Sequence, residues 1–113
     1  MKKIIILISI FNDWKSLKKL INEINENIKD YKDINFECLI VNDSSTIDQP
    51  ELNKPINIKS LKVLNMKKNK GHARCNAFGI RYVLKKEIFD QLILMDGDGE
   101  DRPIEIKSLV DKI

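Results

Sequence analysis

The sequence has few of the residues that build metal and disulfide sites. Its 113 residues include two cysteines, Cys38 and Cys75, and one histidine, His72. The cysteines are not spaced as metal ligands, and we expect each to be a small buried side chain in a reducing compartment. A single histidine excludes a metal site built from several histidines.

A strong excess of charge and a long apolar run are also absent. The formal net charge is +3, which is too small to indicate nucleic-acid binding. The apolar run 4–10 follows a basic start as in a signal peptide, but no small-residue cleavage site follows it. The run is also far shorter than the roughly 20 residues that span a bilayer. We interpret it as the buried first strand of a cytoplasmic protein, with any membrane association peripheral and made by regions outside this chain.

The glycines do not form a familiar phosphate loop. No glycine begins a Gly-Lys-Ser/Thr motif, and the turn 9–14 after the first strand has none, which argues against a dinucleotide fold of the usual kind. An EF-hand starting at Asp96 is excluded as well, because Asp101 and Lys107 stand where the loop needs glycine and glutamate.

Apolar strands alternate with amphipathic helices along the chain. Strands are predicted at 3–10, 36–41, 61–66 and 91–95, and helices at 14–28, 71–88 and 103–113. The segment 47–58 has two prolines and no clear period, which predicts a loop with at most one helical turn. This order predicts one α/β domain over residues 1–113, with a Rossmann-like, doubly wound and mostly parallel sheet between helical layers.

In the second predicted helix, one apolar face recurs at helical spacing. Its members are Ala73, Ala77, Ile80, Leu84 and Ile88, with Phe78 and Val83 beside them. We expect this face to pack on the sheet.

Polar residues follow every predicted strand, at 12–13, 42–46, 69–72 and 96–101. In doubly wound sheets, ligands bind at the carboxyl ends of the strands, where the strand order reverses. We therefore expect these four clusters to form one site.

The acidic cluster is the one best suited to a cation. Asp96 and Asp98 are separated by Gly97, which lets the backbone bend, and carboxylates at a strand end suit a hard cation that would in turn bind phosphates. The alternative is a solvated acidic turn.

Single residues of the other clusters also have two interpretations. Asp43 could accept a hydrogen bond from a base or cap its own loop, and Asp13 could cap the first helix. Gly71 would allow close approach of a ligand, and Arg74 could pair with a phosphate or be an exposed helix residue. His72 is interpreted as a first-turn residue hydrogen-bonded to a neighbouring loop.

Four segments resemble, in the same order, motifs of family 2 glycosyltransferases with the GT-A fold. Residues 8–13 resemble the opening strand and its Pro-x-Tyr-Asn-Glu turn, and Val41-Asn42-Asp43-Ser44-Ser45-Thr46 resembles Val-Asp-Asp-Gly-Ser-Thr. Residues 69–74, with Gly79-Ile80 beyond, resemble the Asn-x-Gly-His helix start of the branch related to dolichyl-phosphate mannose synthase. Residues 95–103 resemble the DxD motif of that branch and its continuation.

The resemblance implies a site for a UDP- or GDP-sugar and an inverting transfer. Phe11 and Asp13 would border the nucleoside, Asp43 would contact the base, and Gly71 and Arg74 would belong to the same donor site. The diphosphate would be held through Mg²⁺ or Mn²⁺, for which the resemblance implies Asp96 and Asp98 as ligands, with Asp98 the more direct one. The acceptor would be a lipid phosphate or a saccharide.

The sequence departs from the family in its motifs and in its length. Ser9 replaces the usual proline, Phe11 the tyrosine, Asn42 the first aspartate and Ser44 the glycine. The acceptor half of the family, with its general base, has no counterpart before Ile113. We therefore expect the donor-binding part of a larger enzyme, with the C-terminal part missing.

A non-catalytic nucleotide-binding or interaction module is the alternative function. A phosphoacceptor signalling domain is disfavoured, because no aspartate ends the third strand.

Overall fold

The computed structural model describes residues 1–97 and 105–112. Over these residues the elements are β1 (Lys2–Ile10), α1 (Trp14–Ile28), β2 (Ile34–Asn42), β3 (Ser60–Asn65), α2 (His72–Lys86), β4 (Gln91–Asp96) and α3 (Glu105–Asp111). The segment 47–58 is a loop without a helix, as predicted. Pro103 and Ile104, where the third helix was predicted to begin, lie outside the described residues.

The four strands form one parallel sheet in the order β3-β2-β1-β4. The chain adds strands outward from β1 to β3 and then crosses back, so that β4 pairs with the other side of β1. The strand order therefore reverses between β1 and β4, and the carboxyl ends of these two strands border a crevice. The predicted α/β fold with a doubly wound parallel sheet is confirmed.

Helices cover both faces of the sheet. Ile4, Ile6 and Ile8 of β1 belong to one buried cluster together with residues of α1 and α3, whereas Ile5 and Leu7 belong to a second cluster together with residues of α2. Burial on both faces explains why β1 is apolar at almost every position rather than at alternate ones.

The first helix follows its sequence pattern closely. The buried face of α1 consists of Trp14, Leu17, Leu20, Ile21, Ile24 and Ile28. Its N-terminus is capped by Asp13, whose Oδ1 accepts a hydrogen bond from the Ser16 N–H at 3.2 Å. The predicted cap is therefore confirmed.

The predicted packing face of α2 was wrong in part: Ile80 packs against the second cluster, but the face does not lie on the sheet at its two ends. Leu84 and Ile88 are 66% and 91% exposed, and the buried residues of the helix are Cys75, Gly79 and Val83. The physical reason is close packing at Gly79, where a Cβ atom would lie 2.6 Å from Leu7 Cδ1. The helix lies on the sheet through its small residues, because larger ones would hold it away.

Among the described residues, no helix is long and apolar enough to cross a membrane.

Candidate functional site

A cavity of about 170 Å³ opens at the carboxyl edge of the sheet, beside the reversal of strand order. Its lining residues are Ser9, Ile10, Phe11, Asp13, Asp43, His72, Cys75, Asp96 and Gly97. The structure thus brings together four of the predicted site residues, namely Phe11, Asp13, Asp43 and Asp96. Gly71 and Arg74 are not part of the lining.

The carboxylate of Asp43 holds the loop that precedes α2. Asp43 is only 5% exposed, and its Oδ1 and Oδ2 accept hydrogen bonds from the backbone N–H groups of Lys70 at 2.8 Å and Gly71 at 3.0 Å. Asp43 therefore caps a neighbouring loop, and Asn42 caps the loop that follows β2 by accepting from the Ser45 N–H. Contact between Asp43 and a base stays a prediction.

Gly71 and Arg74 lie at the start of α2 and are both exposed. Gly71 has φ +86°, a conformation that side chains rarely adopt, whereas a Cβ atom there would meet nothing within 4 Å. The glycine is thus explained by its backbone conformation. The Arg74 side chain has no hydrogen bond or ion pair with the residues that the structure describes, and its role toward a phosphate stays a prediction.

The turn after β1 is fastened to the loop after β2. Asn12 has φ 64°, and its Oδ1 accepts hydrogen bonds from the N–H groups of Thr46 at 2.7 Å and Ile47 at 3.0 Å. These bonds fix the residues on either side of Asn12, so that the half-exposed Phe11 and the exposed Asp13 border the cavity.

The end of β4 lies directly against β1. Asp96 is in register with Ser9, and the Gly97 N–H donates to the Ser9 carbonyl at 2.9 Å. A Cβ atom on Gly97 would be 3.0 Å from that carbonyl oxygen, so this position needs glycine for close approach of the two backbones. Asp98, the predicted direct metal ligand, lies outside the described residues.

His72 connects the first turn of α2 to the ends of β1 and β4. Its Nε2 lies 2.9 Å from Asp96 Oδ1, and its Nδ1 lies 3.1 Å from Ser9 Oγ. The Asn76 amide nitrogen is 3.2 Å from the same Nε2, and Ser9 Oγ is 3.5 Å from Asp96 Oδ1. The histidine therefore contacts strand-end side chains as well as its own helix.

Sequence reasoning had not placed Ser9 among the site residues, and it had placed His72 there only as a member of the strand-end cluster 69–72. A signal for Ser9 was present, because it is a hydroxyl residue within the apolar strand 3–10 and is only 6% exposed. Buried polar side chains are usually hydrogen-bonded, so such a serine indicates a partner at the strand end. No sequence pattern indicated the partners of His72, because Ser9 and Asp96 lie on distant strands.

Both cysteines are buried and free of disulfides. Burial raises the pKa of Cys38 to about 12 and, with a smaller contribution from the Asp43 charge, that of Cys75 to about 11. Both thiols are therefore protonated at neutral pH and unreactive. Their predicted role as small buried side chains is confirmed.

The described residues contribute part of a cation site. Within residues 1–97 and 105–112, no three His, Cys, Asp or Glu side chains are grouped closely enough to hold a metal ion. Asp96 offers one carboxylate that is 34% exposed and lines the cavity. An oxygen donor of this kind fits Mg²⁺ or Mn²⁺, and a metal site here would need further ligands.

Comparison with known protein families gives a match that covers nearly the whole chain. The model of the glycosyl transferase family 2 matches residues 5–113. Comparison with curated proteins gives no match. The family match agrees with the four motifs and with the parallel sheet, and the chain therefore belongs to glycosyl transferase family 2.

Proposed function

We propose that this chain supplies the donor-binding part of a metal-assisted, inverting glycosyltransferase that uses a UDP- or GDP-sugar. The proposal rests on the cavity at the reversal of strand order, which is lined by Phe11, Asp13, Asp43 and Asp96. The chain also belongs to a glycosyl transferase family. Ligands of doubly wound sheets bind at this place.

The nucleoside would lie between the turn after β1 and the end of β2. Phe11 is 46% exposed and offers an aromatic surface at the rim. Asp43 keeps the capacity to accept from a base, because each of its oxygens has a second lone pair beyond the backbone hydrogen bond that it accepts. Gly71 and Arg74 would approach the phosphates from the start of α2.

The diphosphate would lie near the end of β4. Asp96 and Asp98 would hold Mg²⁺ or Mn²⁺, and the metal would offset the charge of the departing nucleoside diphosphate. Asp96 supports this role through its position at the cavity and its partial exposure.

The acceptor would be a lipid phosphate or a saccharide, of which the lipid phosphate rests on the resemblance to the dolichyl-phosphate mannose synthase branch. The general base that activates the acceptor would come from outside this chain. We therefore expect this chain to bind the donor nucleotide without transferring sugar.

Calorimetry with UDP and GDP, each with and without Mn²⁺, tests this function. We expect binding that requires the metal and that weakens at least about tenfold in Asp96→Asn and in Asp98→Asn, because loss of a ligand should cost no less than loss of an outer-shell partner. Asp48→Asn is the matched control, since Asp48 is exposed and lies away from the cavity lining. Binding that is independent of metal, or no binding by the folded protein, would refute the proposal.

A further inference from the structure

We propose that His72 is a positioning residue that holds the Asp96 carboxylate in the orientation required at the metal–diphosphate site. The inference rests on the proposed function and extends it to His72, a residue of the 69–74 motif for which the resemblance implies no role. It is carried by the contacts of the imidazole with the ends of β1 and β4.

The imidazole is held by two contacts of its ring and by the position of its backbone. Its Nε2 lies 2.9 Å from Asp96 Oδ1, and its Nδ1 lies 3.1 Å from Ser9 Oγ. The backbone of His72 is fixed too, because it begins α2 directly after the loop that Asp43 holds through Lys70 and Gly71. A side chain fixed in this way can fix the carboxylate that it contacts.

The partners determine which ring nitrogen carries the proton. An ionised Asp96 can only accept, so Nε2 must donate to Oδ1. In the neutral ring, Nδ1 then accepts from the Ser9 hydroxyl. The Asn76 amide should accordingly turn its oxygen toward Nε2 and share the single Nε2–H with Asp96 Oδ1 in a three-centre bond, since that oxygen has no other hydrogen-bond partner among the described residues.

The His72 side chain does little for the hydrophobic core. It is 57% exposed, and the residues of α2 that pack on the sheet are Cys75, Gly79 and Val83. Its polar contacts therefore act mainly on the two strand-end side chains, and removing them should alter the site more than the fold.

Replacing His72 with glutamine or with asparagine distinguishes between the two contacts of the ring. Glutamine can place its amide nitrogen near the position of Nε2 and donate to Asp96, whereas asparagine reaches only the position of Nδ1. We expect His72→Gln to keep most of the Mn²⁺-dependent nucleotide affinity, within about threefold. We expect His72→Asn and His72→Ala to lose at least about tenfold, as is typical when a partner that orients a metal ligand is removed.

The measurement is calorimetry of UDP and GDP binding with Mn²⁺, with thermal unfolding showing that each variant is folded. Ala73→Gln is the matched control, because it places the same glutamine on the neighbouring exposed residue and should leave the affinity unchanged. The ¹⁵N shifts of the His72 ring in the metal-free protein give a second readout, which should show the proton on Nε2.

The outcomes separate this inference from the proposed function. If the wild type binds and folded His72→Asn binds equally well, the inference alone is wrong. It is also wrong if His72→Gln is as weak as His72→Ala, or if the ring proton is on Nδ1. If the folded wild type binds no nucleotide with metal, the proposed function fails and the inference fails with it.

Discussion

Replacing Asp43 with asparagine should release the loop that leads into α2. The side chain is 5% exposed, and its two oxygens accept from the N–H groups of Lys70 at 2.8 Å and Gly71 at 3.0 Å. Asparagine has the same shape but only one oxygen. In either orientation of the amide, one backbone N–H would therefore face an NH₂ group and lose its acceptor.

The expected cost follows from these two hydrogen bonds. A hydrogen bond to a charged group contributes about 1.5–3 kcal/mol net, and Asp43→Asn abolishes one such bond and makes the other neutral. We therefore expect the free energy of unfolding to fall by about 2–3 kcal/mol. With an m-value of about 1.5 kcal/mol/M, the urea midpoint should fall by roughly 1.3–2 M.

Urea unfolding followed by circular dichroism measures this change, and hydrogen exchange locates it at the amides of Lys70 and Gly71. Asp13→Asn is the matched control, because Asp13 lines the same cavity but caps α1, and asparagine caps helices as well as aspartate does. If Asp43→Asn were as stable as Asp13→Asn, with both loop amides still protected, Asp43 would not hold this loop.

Two further variants test the packing and the surface charges. Gly79→Ala should destabilise the protein by about 1 kcal/mol in urea unfolding. The new Cβ would lie 2.6 Å from the buried Leu7, and this overpacking costs more than the gain of about 1 kcal/mol in helix propensity. Equal or higher stability would show that Leu7 moves aside. The hydrogen bond from Lys62, with nearby lysine charges, lowers the pKa of Glu87 from its ordinary value of 4.5. The ionised Glu87 therefore contributes its full stabilisation above pH 4.5, and this stabilisation is lost as the pH falls through the lowered pKa. Glu87→Gln should accordingly be less stable than wild type at pH 6, with a difference that shrinks below pH 4.5; a difference that does not depend on pH would contradict this.

The fold could be predicted largely from periodicity. The unbroken apolar run of β1 indicated a strand buried on both faces, and the spacing of apolar residues in α1 gave its buried side. The orientation of α2 could not be predicted in this way. Its packing is decided by the close approach at Gly79, and a hydrophobicity pattern does not record where a side chain must be absent.

The candidate site was predictable where a general rule applied. Strand-end residues of a parallel sheet lie at one edge, and this rule predicted that Asp13, Asp43, His72 and Asp96 would lie together, as they do in the cavity. The place of Phe11 was implied by the family resemblance. The contact between Ser9 and His72 joins residues 63 positions apart. It depends on how α2 lies against β1 and on the exact start of α2, neither of which the sequence pattern specifies.

Hydrogen bonds connect the end of β2 to the end of β4 through the start of α2. Asp43 fixes Lys70 and Gly71, the loop fixes the backbone of His72, and the imidazole contacts Asp96. Loss of Asp43 should therefore weaken Mn²⁺-dependent nucleotide binding partly by displacing His72.

A double-mutant cycle separates this route from a direct contact between Asp43 and the base. If the effect passes through His72, Asp43→Asn should lower the affinity less in a His72→Asn background than in the wild type. Full additivity in calorimetry would show that the two residues act on the nucleotide independently. Because His72→Asn has already lost the contact with Asp96, nothing further can be lost by that route, and any remaining effect of Asp43→Asn must come from the base or from the fold.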